Sequence, residues 1–181
     1  MNALIQLINT VSRHLKEHAV PHALVGGITV AIWGRPRATE DVDLLLDIRE
    51  DDLPALKAYC DDHDLKLDLD AAKGAIKAGR SFPVYDMWSI HWIDARVPVR
   101  VHDTKTLERA TLVEIGKEKV PVATPEDAIL GKLITGRQQD LVDARSIVLR
   151  KETELDLEYI TEKVHAYEVV PAWEKIRPQI V

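Results

Sequence analysis

Asp41 and Asp43, one residue apart, open the apolar run Val42-Asp43-Leu44-Leu45-Leu46. On a strand, residues two apart project from one face, so the two carboxylates would stand together where the strand begins. Such a pair suits magnesium, a hard cation that takes carboxylate oxygens together with substrate phosphates rather than an all-protein cage. Upstream, Gly26-Gly27 follows the apolar stretch His22-Ala23-Leu24-Val25. Backbone amides at a helix start point outward unpaired and favour an anion, and glycine lets a phosphate approach without meeting a Cβ. Each half alone is weak, because D-x-D is common and Gly-Gly most often marks a plain tight turn. Together, with Arg35, Arg37 and Thr39 between them, they supply both parts of a phosphoryl-transfer site. The glycines seat a triphosphate, and the acids hold the one or two metal ions that it carries.

These residues need elements to position them. Leu4, Ile5, Ile8, Val11 and Leu15 recur at helical spacing and predict an amphipathic helix ending near His18, with Pro21 marking the break. His22–Val25 reads as a short buried strand, and Gly26-Gly27 turn it into a helix through Trp33. Gly34 is expected to close that helix as a left-handed cap. Residues 35–40 form a loop, and 42–48 a strand whose apolarity predicts burial on both faces in a mixed or parallel sheet. Glu50 to Asp52 suit the start of a helix carrying Leu53, Leu56, Tyr59 and Cys60 on one face. Residues 66–80 read as a short strand followed by a loop. Residues 84–102 suggest a hairpin with Ile90–Ile93 and Val97–Val101 as its arms, and a second strand pair follows around Gly116.

Thr124-Pro125-Glu126-Asp127 is a helix start with N-cap, N1 proline and N3 acid in order. Helices then run to about residue 168, broken at Gly136 and near Glu152-Thr153, with a last short helix around Trp173. The expected fold is α/β (α+β): a small mixed sheet flanked by helices over residues 1–122, with a helical region over 123–181 packed on it.

The 181 residues are 46% hydrophobic and 30% charged, ordinary values for a globular chain able to bury a core. The net charge of −6 argues against a clamp on duplex DNA, whose affinity comes from neutralising phosphates. A local basic cleft for a nucleotide or the tip of an RNA remains compatible with it. No apolar run is long enough to span a bilayer, and the start lacks the pattern of a secretory signal. Cys60 is the single cysteine, so a reducing, cytoplasmic setting is expected, without an intrachain disulfide or thiolate metal cluster.

The stretch Leu24-Val-Gly-Gly-Ile-Thr-Val-Ala-Ile-Trp-Gly-Arg-Pro-Arg-Ala-Thr-Glu-Asp-Val-Asp-Leu44 resembles the active-site signature of the DNA polymerase β-like nucleotidyltransferase superfamily. Glu126-Asp-Ala-Ile-Leu-Gly-Lys-Leu-Ile-Thr-Gly-Arg-Gln-Gln-Asp-Leu-Val-Asp-Ala-Arg145 is similar to the K…R…D…D motif of AbiEii/MenT-type toxin nucleotidyltransferases. The resemblance implies that Gly26 and Gly27 cradle the β- and γ-phosphates, while Asp41 and Asp43 bind magnesium at a two-metal site. It further implies that Lys132 contacts the triphosphate, that Arg137 supports it, and that Asp140 or Asp143 sits near the acceptor as base or orienting group. The implied reaction moves a nucleoside monophosphate from an NTP to an acceptor hydroxyl, such as the 3′ end of a tRNA, and releases pyrophosphate. A toxin-like role would bring an antitoxin protein as partner.

The superfamily takes a third carboxylate from a neighbouring strand, and here two residues compete for it. Asp94 closes the Ile90–Ile93 arm and is preferred over Asp103, which follows Val99-Arg-Val-His102. If neither reaches the metals, a degenerate nucleotide-binding or protein-interaction module becomes the alternative, beside a small-molecule (aminoglycoside-type) nucleotidyltransferase. Three other patterns weigh less. His14-Leu-Lys-Glu-His18 has inverse-zincin spacing but no third ligand. Gly131-Lys132 lacks the upstream glycine and the Ser or Thr of a P-loop. Trp88, Trp92 and Trp173 could stack bases, yet core or hairpin packing more often accounts for isolated tryptophans.

Overall fold

A computed structural model describes residues 3–36, 38–39 and 41–177. The chain opens with α1 (Ala3–Glu17), β1 (His22–Val25), α2 (Gly26–Trp33) and β2 (Asp41–Leu46). A 3-10 turn at Glu50–Asp52 leads into α3 (Leu53–Asp62), then β3 (Leu65–Leu67), α4 (Leu69–Lys77), β4 (Phe82–Asp86) and β5 (Trp92–Arg96). After α5 (Val101–Arg109) come β6 (Thr111–Ile115) and β7 (Glu118–Val122), followed by α6 (Pro125–Thr135), α7 (Gln138–Lys151), α8 (Leu157–Ala166) and α9 (Val170–Glu174). The strands form one sheet in the order β3-β4-β5-β2-β1-β7-β6. It is mixed: β2 runs antiparallel to β1 but parallel to β5, and β1 runs parallel to β7. No helix among the described residues is long and apolar enough to cross a membrane.

The two faces of the sheet are treated differently. Val42, Leu44 and Leu46 of β2, Ile93 and Ala95 of β5, and Phe82 and Val84 of β4 join one buried cluster with α1, α3 and α4. The alternate residues, Asp41, Asp43, Trp92, Asp94 and Tyr85, therefore lie on the opposite face. A second apolar cluster joins α6–α9 to Val30 of α2, so the later helices are anchored on the helix that follows the glycine pair.

Four local expectations are corrected. Residues 69–77 are a helix and not a loop: Asp68 caps it by accepting from the Ala71 amide at 2.9 Å, and Ala72 and Ala75 are buried. The hairpin arms are Phe82–Asp86 and Trp92–Arg96, which leaves Ile90 and His91 in the turn. Residues 97–100 are not its second arm, because the Asp103 carboxylate takes the amides of Val99 (3.0 Å) and Arg100 (2.9 Å) to start α5. Gly34 ends α2 without left-handed backbone, at φ −115°. Its lack of a side chain serves packing, since a Cβ there would overlap the Ser146 hydroxyl and crowd Ile147 of α7.

This contrast is testable in equilibrium unfolding. Gly34→Ala should cost about 1–3 kcal/mol by forcing α7 away. Gly74→Ala, at an exposed position of α4 with open space around it, should gain about 0.5–1 kcal/mol. Equal urea midpoints for the two variants would show that Gly34 is not a packing position.

Candidate active site

The site is built on the ends of β1 and β2. Val25 pairs with Asp43, so the turn from β1 into α2 lies beside the second acid. Gly26 has φ +64°, and a Cβ there would overlap the Asp43 carboxylate. Its glycine is needed twice, for the left-handed backbone and for the close approach. The Gly27 amide donates to Asp43 Oδ2 at 3.4 Å. Thr39 sends its hydroxyl to Asp41, 2.7 Å to the carbonyl and 3.1 Å to Oδ1, so it braces that acid. Arg37 lies outside the described residues.

The parallel pairing of β2 with β5 decides where the neighbouring acid falls. Asp43 lies opposite Asp94 and Asp41 opposite Trp92, which puts three carboxylates on one face. Asp103 is differently engaged: it caps α5 and pairs with Arg96 at 2.9 Å. Burial works against its ionised form, but the Arg100 and Val99 amides and the Arg96 charge hold its carboxyl below the usual range. Asp43 goes the other way. Burial raises its pKa most; the charges of Asp41 and Asp94 add to the rise, while the Gly27 amide and Lys132 oppose it. This is an acid that lacks enough positive charge. Among the described residues no three His, Cys, Asp or Glu side chains close into a metal cage. A magnesium ion needs none, because it keeps several ligand places for water and substrate phosphate.

Facing these acids is a cationic wall from α6 and α7. Thr124 caps α6 by accepting from the Asp127 amide at 3.2 Å, and Gly136 ends it at φ +71°. That places Lys132 in the last turn, nearly buried. Its Nζ lies 3.0 Å from Asp140 Oδ1 and 3.4 Å from Asp143 Oδ2. Arg137 donates to Asp140 Oδ2 at 2.7 Å, and Arg35 reaches Asp143 Oδ1 at 3.0 Å. Asp140 is buried, which favours its neutral form, yet its bonds to Arg137 and Lys132 outweigh that and keep it below the usual carboxylate range. Asp143 is fully buried and also accepts from Gln139 at 3.0 Å.

A cleft of about 210 Å³ joins the two halves. Gly26, Asp43, Lys132, Arg137 and Asp140 line it, whereas Asp41, Asp94, Gly27, Thr39, Arg35 and Asp143 stand behind or beside it. Its far wall is Arg96 at the end of β5, Arg100 at the N-cap of α5, and His102, Asp103 and Thr106 of α5, of which only Asp103 is a candidate from the sequence. Gly131 lets α6 approach that wall, since a Cβ there would sit 3.2 Å from His102 Nε2. His102 and Thr106 are one helical turn apart, a signal that was hidden while residues 97–101 read as a strand.

Comparison with known proteins supports the fold and identifies the family. Three solved structures share the fold at 13–15% identity. An antigenic nucleotidyltransferase-like protein from Paracoccidioides brasiliensis superposes with a TM-score of 0.56, covering 96% of this chain and 93% of that one, at 15% identity. ANT(2″)-Ia in complex with adenylyl-2″-tobramycin gives 0.57 at 14% identity, over 92% and 98% of the two chains. The lincosamide antibiotic adenylyltransferase LnuA, lincomycin-bound, gives 0.50 at 13% identity, over 78% and 94%. No curated protein aligns with the chain as a relative. The family described as "Nucleotidyltransferase of unknown function (DUF6036)" matches residues 1–177. With a glycine corner, a row of acids on one sheet face and a lysine wall already in place, the chain belongs to that family and is a nucleotidyl-transfer enzyme.

Proposed function

We propose that the enzyme uses magnesium and an NTP to place a nucleoside monophosphate on an acceptor hydroxyl. The single observation that carries this reading is the register of Asp43 opposite Asp94, with the Asp43 carboxylate against the Gly26-Gly27 corner. Asp41, Asp43 and Asp94 would hold the metal, which would neutralise the phosphates and stabilise the attacking and leaving oxygens. The Gly26-Gly27 turn receives the β- and γ-phosphates. Lys132 supplies a positive charge beside them, and Arg137 stands at the mouth of the cleft. Asp140 and Asp143 orient Lys132. Asp140 is a poor base, because two cations hold it ionised.

In the transfer step the acceptor oxygen bonds to the α-phosphorus as the bond to pyrophosphate breaks, and the hydroxyl proton leaves to solvent or a carboxylate. The toxin-like role, the tRNA 3′ end as acceptor and an antitoxin partner rest on the motif at residues 126–145. The 1–122 and 123–181 division is likewise part of this reading. It draws support from the separate apolar cluster of α6–α9.

Asp43→Asn should lower nucleotidyl transfer at least about 10²-fold with the melting temperature preserved, on the scale of losing one preorganised electrostatic group. Activity within a few-fold of the parent would refute its role. Asp94→Asn should match that loss, while Asp103→Asn should instead cost about 1 kcal/mol of stability through a weakened helix start. Loss of transfer in Asp103→Asn, with Asp94→Asn active, would reassign the third acid. Lys132→Ala should raise the KM for the triphosphate and destabilise the fold by about 3–5 kcal/mol, since two buried carboxylates lose their shared cation. Lys132→Arg should recover stability before it recovers KM. An unchanged KM in Lys132→Ala would return the lysine to a purely structural role.

A further inference from the structure

The two edges of the sheet are built differently. β3 is three residues long and carries an exposed lysine, Lys66, a combination that discourages pairing with another strand. β6 is five residues, Thr-Leu-Val-Glu-Ile, with no lysine, no proline and no bulge in its register against β7. Leu112 is 61% exposed, and Glu114 is exposed on the same face of the strand. Nothing in this strand blunts its outer edge.

Pro121 decides which backbone groups that edge presents. Leu112 lies opposite Pro121, which has no N–H, so these two cannot exchange a pair of ladder bonds. Bonded and non-bonded pairs alternate along an antiparallel ladder, so Thr111–Val122, Val113–Val120 and Ile115–Glu118 are the bonded ones. The two-residue turn at Gly116-Lys117, with Gly116 at φ +66°, closes on the last of these. The N–H and C=O groups of Leu112 and Glu114 therefore point away from β7. Among the described residues no strand lies beyond β6, and no backbone group outside the sheet bonds to these four. Donors and acceptors spaced in this way are complementary to one more strand.

We propose that the strand completing this edge is β6 of a second copy of the chain, running antiparallel about a two-fold axis through Val113. Leu112 and Glu114 flank Val113 symmetrically, so that axis sets Leu112 opposite the partner's Glu114 and bonds all four outward groups of each copy. An axis through Glu114 would oppose two carboxylates. An axis through Leu112 would oppose Glu114 to Ala110, whose amide already donates to Leu107. In the register through Val113, Glu114 has Lys119 beside it on its own β7 and meets only leucine across the axis. On the other face Val113 meets the partner's Val113, and Thr111 meets the partner's Ile115. This row continues the apolar cluster against which Val113 and Ile115 pack. A foreign strand could bond the same backbone, but the self-complementary register lies in these five residues and selects the second copy. No residue of β6 lines the cleft, so the pairing leaves it open and is independent of the transfer reading.

The test is the oligomeric state of the full chain, read by sedimentation velocity from low micromolar to submillimolar concentration. The parent should pass from monomer to dimer. Leu112→Pro removes one outward amide and no bond to β7, so it should stay monomeric with its melting temperature kept. Leu112→Glu opposes like charges at two symmetric positions and should weaken the dimer about tenfold. Adding Glu114→Lys to it should restore the parent's affinity to within about threefold. Val113→Cys sets two thiols at the axis, where non-hydrogen-bonded partners stand about 4.5 Å apart between Cα atoms, so a mild oxidant should give a covalent dimer. Leu112→Cys should give none, and Cys60 is buried and stays out of the reaction. A parent that is monomeric at every concentration overturns the proposal. So does a dimer that Leu112→Pro leaves intact, or equal cross-linking through positions 112 and 113. Should Leu112→Pro unfold, the charge pair decides alone: failure of Glu114→Lys to rescue Leu112→Glu overturns the register.

Discussion

Three like charges on one sheet face set the terms for the rest of the molecule. Parallel pairing of β2 and β5 puts Asp43 directly opposite Asp94, one strand spacing away, with Asp41 next along β2. Two unit charges about 5 Å apart repel by about 3 kcal/mol at an effective dielectric of 20, and Asp43, partly buried, also feels Asp41 two residues along its own strand. The glycine corner is the chain's local answer. Gly26 gives up its side chain so that the Asp43 carboxylate can approach, and the Gly27 amide points at that carboxylate. Burial raises the pKa of Asp43 most, Asp41 and Asp94 add to the rise, and one long hydrogen bond with a lysine across the cleft does not cancel it. In the function proposed above, a divalent cation would relieve this like-charge repulsion and would in turn be matched by the charge of the triphosphate.

The opposite wall solves the converse problem. Lys132 is nearly buried, and an ammonium out of water must be paired and hydrogen-bonded. Asp140 and Asp143 share it, and their surplus negative charge is met by Arg137 and Arg35. Because Arg35 follows α2 while Asp143 belongs to α7, the network ties the loop after the glycine corner to the helical half. Gly34 performs the same service sterically, letting Ser146 and Ile147 close on the end of α2. The glycine corner and the cationic wall are therefore fixed to each other through one short helix. The apolar cluster around Val30 reinforces that link.

Much of this was legible in the chain because local and tertiary signals coincided. The apolar runs at His22–Val25 and after Asp41, and the Thr124-Pro125 helix start, state their structure within a few residues. The failures came where a side chain's partner decided the outcome. Residues 66–80 carry few large apolar groups, and the Asp68 cap together with Ala72 and Ala75, flanked by Leu69 and Ile76 against the core, makes 69–77 into α4. Val97 to Val101 alternate like a strand, but the Asp103 carboxylate captures two amides there and starts a helix. That one bonding choice commits the Asp103 carboxylate to the start of α5 and brings His102 and Thr106, with Asp103, to the cleft. Gly34 misled for a related reason, since glycine at a helix end suggests backbone conformation while its actual constraint is a neighbour more than a hundred residues later.

The uneven covering of the sheet has in part a structural explanation. β3 is an edge strand, and edge strands commonly carry lysine and stay short to avoid pairing with other chains. Three residues with Lys66 outward satisfy that need fully. Edge protection does not, however, ask for Tyr85 and Trp92 on the inner strands of the same face, where a polar pair would be equally safe and more soluble. Nor does it ask for Met87, Trp88 and Ile90 on a turn already held by Asp86. The helices after β5 could have closed over this half of the sheet; instead α5 packs on β1 and β2, and α6 and α7 pack on α2. The chain buries Phe82, Val84, Ile93 and Ala95 on one face of β4 and β5 and leaves Tyr85 exposed and Trp92 half-buried on the other.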